Sequence, residues 1–348
     1  MLAAQMTGVR SIRLRDIPVP EIQEDEILVK VKSVGICGTD MRIIGNGFPG
    51  IDEARPRVLG HEISGVVAAV GRNVASYKEG MRVAIAPNIG CGLCRECMRG
   101  DQHLCAKYYA LGVQIDGGFA EYVKIPAAAV RSGNVFALPD HVGFDAAAVN
   151  EPLSCVYNGI RLCPIALGDD VLIIGAGPIG IMYAMMAKLA GAARVIVANR
   201  GAARLELARS VDPSFVTVQA DKLKETIHEL TEGRGVDVAV TANPSPEAQQ
   251  VAVELTAMNG KINFFGGLPK DKQMVSINTN TVHYKQILLT GSTKANNEHF
   301  GSTLKFISSG ILDVGKLVTA RYPLDRFEEA LEHASNGSGM KTVIAFDD

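Results

Sequence analysis

The sequence predicts an α/β protein in two parts, a β-rich first part followed by a doubly wound parallel sheet with helices on its faces. Chain length, a change of hydrophobic pattern near Glu151, and a glycine-rich turn behind an apolar strand predict it. With 348 residues the chain exceeds one small core and suits two domains. From Ile27 to Val34 and from Ser64 to Val70, Val- and Ile-rich runs lie between Gly, Pro and polar breaks, as strands do. After about Glu151 strand and helix patterns alternate: Val171 to Ile174, a helix to Leu189, Arg194 to Val197, a helix to Arg209, Val216, a helix to Leu230, and Val236 to Val240. Ile262 to Phe265 and Ile287 to Thr290 read as later strands of that sheet. A helical pattern at Phe300 to Ser308 precedes a last strand at Thr342 to Phe346.

The composition is that of a globular chain, 47% hydrophobic and 21% charged. A net charge of -2 with scattered Lys and Arg gives no footprint for nucleic acid or an anionic membrane, so a small molecule is the expected partner. The apolar stretch Val171 to Ala187 is shorter than a bilayer span and is broken by Gly175, Gly177, Pro178 and Gly180, which predicts strand, turn and helix instead. Arg10, Arg13 and Arg15 follow the first residues with no apolar secretory segment, and a cytoplasmic protein is expected.

Seven cysteines under reducing conditions call for an explanation other than disulfides. Cys91, Cys94, Cys97 and Cys105 are spaced C-x2-C-x2-C-x7-C in a loop with Gly90, Gly92, Arg95, Arg99 and Gly100. Four thiolates on a loop close a tetrahedron around zinc and leave no open position, so this metal stabilises and does not catalyse. A ferredoxin-type cluster has similar spacing, but a hydride-transfer domain downstream favours zinc. Cys155 and Cys163 have no such spacing and read as small apolar residues.

A second metal set is scattered. Cys37 lies in Gly35-Ile36-Cys37-Gly38-Thr39-Asp40 at the end of the first β run, and His61 lies in Gly60-His61-Glu62 after a loop. One Cys and one His at separate strand ends suit a catalytic zinc that keeps a position open for substrate. Glu151, in Asn150-Glu151-Pro152-Leu153-Ser154, stands where the pattern changes and where two domains would meet around a cleft. Singly, His61 reads as structural and Glu151 as a surface carboxylate; the constellation lifts them.

Gly175-Ala176-Gly177-Pro178-Ile179-Gly180 follows the strand Val171 to Ile174 and opens a helix. In that setting G-x-G-x-x-G is the Rossmann dinucleotide fingerprint: its glycines allow a tight turn, close pyrophosphate approach and helix packing. The acidic residue that binds the NAD ribose about 20 residues on is here Asn199, followed by Arg200 and, one turn later, Arg204. Without the carboxylate a 2′-phosphate is not repelled, and two guanidiniums can bind it. NADP is therefore the expected cofactor, with NAD possible. Arg200 and Arg204 also read as a solvated helix start.

G-H-E-x2-G-x5-G-x2-V from Gly60 to Val74, the Cys-Gly-Thr-Asp element, the four-cysteine loop and Glu151-Pro152-Leu153-Ser154 together resemble the zinc-containing medium-chain alcohol dehydrogenases. The form of the last element resembles their polyol branch, with sorbitol and galactitol-1-phosphate dehydrogenases, and more distantly threonine dehydrogenase. The resemblance covers nearly the whole chain. It implies a GroES-like catalytic domain of residues 1–153 and 295–348, carrying the structural zinc, around a Rossmann domain of residues 154–294. It implies two zincs per chain and a catalytic zinc on Cys37 and His61, with Glu62 or Glu151 completing the shell directly or through water. Asp40 would fix the histidine, Thr39 would accept the substrate's proton, and a homodimer or homotetramer would form through the cofactor domain.

Relatives often carry a proton-relay or substrate-binding His three residues after the Thr, where this chain has Arg42. A guanidinium cannot relay a proton, so either ribose and water finish the relay or Arg42 contacts an anionic group; a solvated loop arginine is the alternative. Lys294 falls near a basic substrate contact of polyol dehydrogenases. Phe48, Tyr109 and Phe119 could line a pocket, though lone aromatics more often pack. A sugar alcohol or ketose is the expected substrate, and an amino alcohol such as threonine the second. A regulator that kept the zincs and the nucleotide fold without the chemistry is the non-enzymatic alternative; the intact Cys37, Thr39, Asp40 and His61 speak against it.

Overall fold

The computed structural model describes residues 1–346. Two compact units divide the chain: Met1–Ser154 with Lys294–Asp348, and Cys155–Thr293. Among the described residues no helix is long and apolar enough to cross a membrane.

The Cys155–Thr293 unit is built on a six-stranded sheet, all of whose pairings are parallel. Its spatial order is Val216–Gln219, Arg194–Asn199, Asp170–Ile174, Val236–Thr241, Thr256–Phe264, Leu288–Gly291. In chain order that is 3-2-1-4-5-6, the doubly wound arrangement whose reversal lies between the first and fourth strands. Asp170–Ile174 is buried along its whole length, because an inner parallel strand is covered on both faces and reads as an unbroken apolar run. Its one charge, Asp170, is held by Arg194 and Arg234, each with a contact of 2.7 Å. The helix Pro178–Leu189 starts with Pro in its first turn, where a missing N–H costs nothing, and buries Ile181, Met182, Tyr183, Ala184 and Met186.

Sequence patterning overlooked the helices Pro246–Leu255 and Thr279–Lys285. Both begin at short polar caps: Ser245 accepts from the Ala248 N–H, and Asn278 from that of Thr281.

In the other unit Ile27–Gly35 is the central strand. It pairs antiparallel with Glu62–Val70, Lys341–Ala345 and Tyr122–Ile125. The register sets Gly35 opposite both Glu62 and Val343, so residues about 300 apart in sequence meet at one strand end. Val29, Val31, Ile63, Val67, Val83, Ile85 and Phe119 fill the core beneath. Phe119 is fully buried and packs edge-on against Phe327 at 4.9 Å, while Phe48 and Tyr109 pack on the margin of the same core. None of the three needs a ligand to explain it.

Two glycines of the Gly60-to-Val74 motif are required by close backbone approach. A Cβ on Gly65 would sit 2.2 Å from the Lys30 carbonyl oxygen, and one on Gly71 would sit 2.4 Å from those of Gln23 and Glu24. These neighbours are backbone and cannot rotate away. Gly71→Ala is expected to destabilise the protein by about 1–3 kcal/mol, the usual cost of overpacking. Denaturant unfolding of the pair of proteins checks it; equal midpoints would refute the steric account.

Candidate active site and metal centres

The four-cysteine loop folds with little help from apolar packing. Its helix Arg95–Met98 buries no residue, and Leu93 and Met98 are 87% and 76% exposed. The sulfurs nevertheless converge: the Sγ atoms of Cys91, Cys94, Cys97 and Cys105 lie within 4.8 Å of one another. The N–H groups of Cys91 and Lys107 approach the Cys105 sulfur at 3.4 and 3.3 Å. Backbone N–H groups of Leu93 and Cys94 bring the Cys91 thiol down to about 6. Gly90 leaves room for this packing, since a Cβ there would meet the Cys97 sulfur at 2.5 Å. Four thiolates this close repel unless a cation sits among them, and the donor set fits zinc.

The second donor set sits at the mouth of the central strands. Cys37 is the N-cap of the helix Gly38–Asn46. Asp40, at the third helical position and fully buried, accepts from the Cys37 N–H at 2.9 Å and from the Gly60 N–H at 3.3 Å. Its Oδ1 also lies 3.4 Å from His61 Nδ1. Gly60 turns at φ 89°, and a Cβ there would strike the Phe119 ring, so only glycine delivers His61 to this point. Burial disfavours charge on the imidazole, but the negative charges of Asp40 and Cys37 outweigh it and hold the His61 pKa well above its ordinary value.

One ligand atom each from Cys37, His61 and Glu62 lies within 4.8 Å of the others. Glu62 is fully buried; its Oε1 accepts from Lys341 Nζ at 2.5 Å, while its Oε2 has no hydrogen-bond partner. An orphaned carboxylate oxygen beside a thiol and an imidazole is a donor set that fits zinc. Glu151, expected from sequence as the third ligand, is buried in the first turn of the helix Asn150–Leu162 but stands outside this donor group. Glu62 holds the closer place because it follows His61 directly at the strand end. The charge of Glu151 instead adds to that of Glu62 in raising the Lys341 pKa. Thr39 is half-buried on the first turn of the same short helix, and its Oγ1 accepts from Arg42 Nη2 at 3.2 Å.

In the parallel-sheet unit, Gly175 turns the chain at φ 119° and Gly180 packs over it, a Cβ on the latter falling 1.8 Å from the Gly175 carbonyl oxygen. A Cβ on Gly177, the N-cap of the following helix, would meet nothing within 4 Å. Pro178 and Ile179, both half-buried, begin that helix. Open space above helical N–H groups fits a pyrophosphate. The Asn199 amide is spent on the chain: its oxygen accepts from Ala176 N–H at 3.3 Å and its nitrogen donates to the Gly201 carbonyl at 3.0 Å. Arg200 is exposed. Glu247 has its carboxyl lowered by the Ser245 hydroxyl, with the charges of Lys272 and Arg200 adding to the effect. Arg204 is half-buried, and burial lowers its pKa.

Residues 23–140 match the family model described as the alcohol dehydrogenase GroES-like domain, and residues 178–309 match that of the zinc-binding dehydrogenases. The chain belongs to the zinc-binding alcohol dehydrogenases. This dehydrogenase is 34% identical to sorbitol dehydrogenase of Bacillus subtilis over 96% of its own length and 93% of that protein. It is 33% identical to L-threonine 3-dehydrogenase of Bacillus licheniformis over 94% and 93%. Among solved structures it resembles a zinc-binding dehydrogenase of Sinorhizobium meliloti bound to NADP, with TM-score 0.89, 29% identity and 99% of each chain covered. An alcohol dehydrogenase of Escherichia coli CFT073 complexed with NADH superposes with TM-score 0.90 at 28% identity, again over 99% of each chain. The dehydrogenase is thus an α/β oxidoreductase that joins a GroES-like domain to a Rossmann sheet.

Two findings add to the residue-level reading of this dehydrogenase. Lys294, expected at the substrate, donates to the His103 carbonyl at 3.2 Å and lies 3.9 Å over the Tyr108 ring. Lys341 was overlooked, although it neutralises the buried Glu62 and also donates to the Ile36 carbonyl at 3.0 Å. Its only signal in the sequence was a lysine opening an otherwise apolar last strand.

Metal analysis of the purified dehydrogenase is expected to give two zincs per chain. Cys97→Ser should lose one zinc and stability together, and Cys37→Ser should lose the other zinc with the fold retained. A Cys97→Ser protein as stable as the parent would refute the structural role. Lys341→Met, which strands the Glu62 charge, should destabilise by about 3–5 kcal/mol, as removal of one partner of a buried ion pair does. Chemical denaturation checks it, and a change below 1 kcal/mol would contradict the pairing.

Proposed function

We propose that this dehydrogenase interconverts a secondary alcohol of a polyol and the matching ketone, with NADP preferred to NAD. The observation that carries this is the convergence of Cys37, His61 and Glu62 donors, with Thr39 two residues along the chain from Cys37. The likeness to sorbitol dehydrogenase supports a polyol, and no feature of the site favours an amino alcohol over it. Cys37 and His61, with Glu62 as third donor and Glu151 in reserve, would hold a zinc that would supply a Lewis acid to lower the pKa of an alcohol.

The side chains do the rest. Asp40 fixes His61 and the loop at Gly60, so the donors are set before substrate arrives. Thr39 accepts the substrate's hydroxyl proton. Arg42 donates to Thr39 and stays charged, so it cannot itself take the proton on from Thr39. Lys341 offsets the Glu62 charge and limits the negative charge crowded at the site. The N-terminus after Gly177 would hold the pyrophosphate of a nicotinamide cofactor, which would supply the hydride acceptor.

The Asn199 contacts leave recognition of the 2′ position to charge. Arg200 is exposed beside it, with Arg204 one turn on, and a charge-assisted contact to phosphate contributes about 1.5–3 kcal/mol when ordered and shielded. We place the protein in the cytoplasm because its thiolate donors need reducing conditions. A homodimer or homotetramer is supported by the edge strand Leu288–Gly291, whose Leu288 is 52% exposed.

Oxidation of a panel of sugar alcohols with each cofactor tests this reading. Activity on hexitols is expected, with kcat/KM about tenfold or more higher for NADP, a preference that weakens with salt and reverses in the Asn199→Asp, Arg200→Leu double variant. A tenfold preference of the parent for NAD would refute the cofactor assignment; absence of any polyol activity in the two-zinc protein would refute the substrate class.

A further inference from the structure

Arg42 stands apart from the other charges around the site. Its Nη2 donates to Thr39 Oγ1 at 3.2 Å, yet no carboxylate of the described residues pairs with it. The acids of its neighbourhood in the chain are engaged elsewhere. Asp40 accepts from Cys37 and Gly60, Asp52 pairs with Arg55 at 2.6 Å, and Glu53 pairs with Arg15 at 3.6 Å. Asp116, whose carboxylate accepts from the Val58 N–H, lies 3.5 Å from Arg57.

Among the described residues only one of the five N–H donors of this guanidinium is used. An exposed arginine with no counter-ion, tied to the hydroxyl we assign to proton transfer, is ready for an oxyanion. The planar fork matches a phosphate or a carboxylate bidentately. A substrate hydroxyl in contact with Thr39 and an anion in contact with Arg42 would be separated by about two or three carbons, given ordinary hydrogen-bond lengths.

We propose that Arg42 is a specificity-determining residue for an anionic polyol, a sugar-alcohol phosphate or a sugar acid, with the oxyanion bound by the guanidinium that also holds Thr39. The inference rests on the polyol reading above and names its substrate class. The same contact explains the absence of a relay histidine. An anion bound beside Thr39 requires a permanent positive charge, and a neutral imidazole would not supply it.

The test compares the zinc-loaded parent with Arg42→Ala and Arg42→Gln. The substrates are sorbitol, galactitol, sorbitol 6-phosphate, galactitol 1-phosphate and gluconate, and calorimetry measures binding of the last three in the presence of NADPH, with which an alcohol does not react. In the parent, at least one anionic polyol should exceed its uncharged counterpart by tenfold or more in kcat/KM. In both variants that ratio should fall by tenfold to a hundredfold, mainly through KM, together with the calorimetric binding. Arg42→Gln retains a donor for Thr39 without the charge. A loss of kcat equal on all substrates in Arg42→Ala, restored by Arg42→Gln with the charge ratio unchanged, would assign Arg42 to holding Thr39 alone and overturn the proposal. Equal kcat/KM for charged and uncharged polyols in the parent would overturn it as well, while leaving the polyol reading intact. If no polyol is turned over, that reading fails and binding decides the inference: Arg42-dependent uptake of a phosphate or gluconate supports it, and uptake independent of Arg42 or no uptake overturns it. The phosphate and gluconate arms identify which oxyanion is recognised.

Discussion

The site depends on a buried ion pair, the Glu62 carboxylate against the Lys341 ammonium at 2.5 Å. Burial by itself disfavours charge on Lys341, and the charges of Glu62 and Cys37 outweigh it and raise the Lys341 pKa. Neither ion would be tolerated there alone, because an uncompensated buried charge costs several kcal/mol. The pair in turn dictates its surroundings. Gly35 must lack a side chain, since a Cβ would fall 1.9 Å from Glu62 Oε2, and the last strand must dock against Ile27–Gly35 in the register that brings Lys341 to the Ile36 carbonyl. With Oε1 taken by the lysine, Oε2 has no hydrogen-bond partner among the described residues.

The two donor sets keep different company. The cysteine loop has almost no apolar burial of its own, so a metal held by its four sulfurs would supply the cohesion that a core supplies elsewhere. The Cys37 set lies over a dense core, which holds the donors in place by packing. Asp40 joins these levels: it caps the helix through the Cys37 N–H, pins the Gly60 turn, and faces the His61 ring.

Comparable economy marks the nucleotide turn. Gly175 and Gly180 are fixed by backbone geometry that holds with or without a ligand, whereas the bare Cα of Gly177 faces open space that the protein itself does not use. Asn199 serves the turn from the tip of the adjacent strand, so an amide that could have met a ribose is bonded to Ala176 and Gly201.

The sequence by itself determined the doubly wound sheet, the four-cysteine centre, the Gly175-to-Gly180 turn and the pairing of Cys37 with His61. Local chemistry specifies each of these: hydrophobic period, ligand spacing, or glycine at a position where a Cβ has no room. Only the tertiary structure decided that Glu62, not Glu151, shares a 4.8 Å group with the Cys37 and His61 ligand atoms, that Lys341 pairs with Glu62, and that Lys294 meets His103 and Tyr108. It also decided that Arg42 holds Thr39 and has no counter-ion among the described residues. These depend on strand register and on which long side chain reaches which group. A charged residue names its chemistry in one dimension, but its partner is chosen by a fold that brings distant segments within a few ångströms.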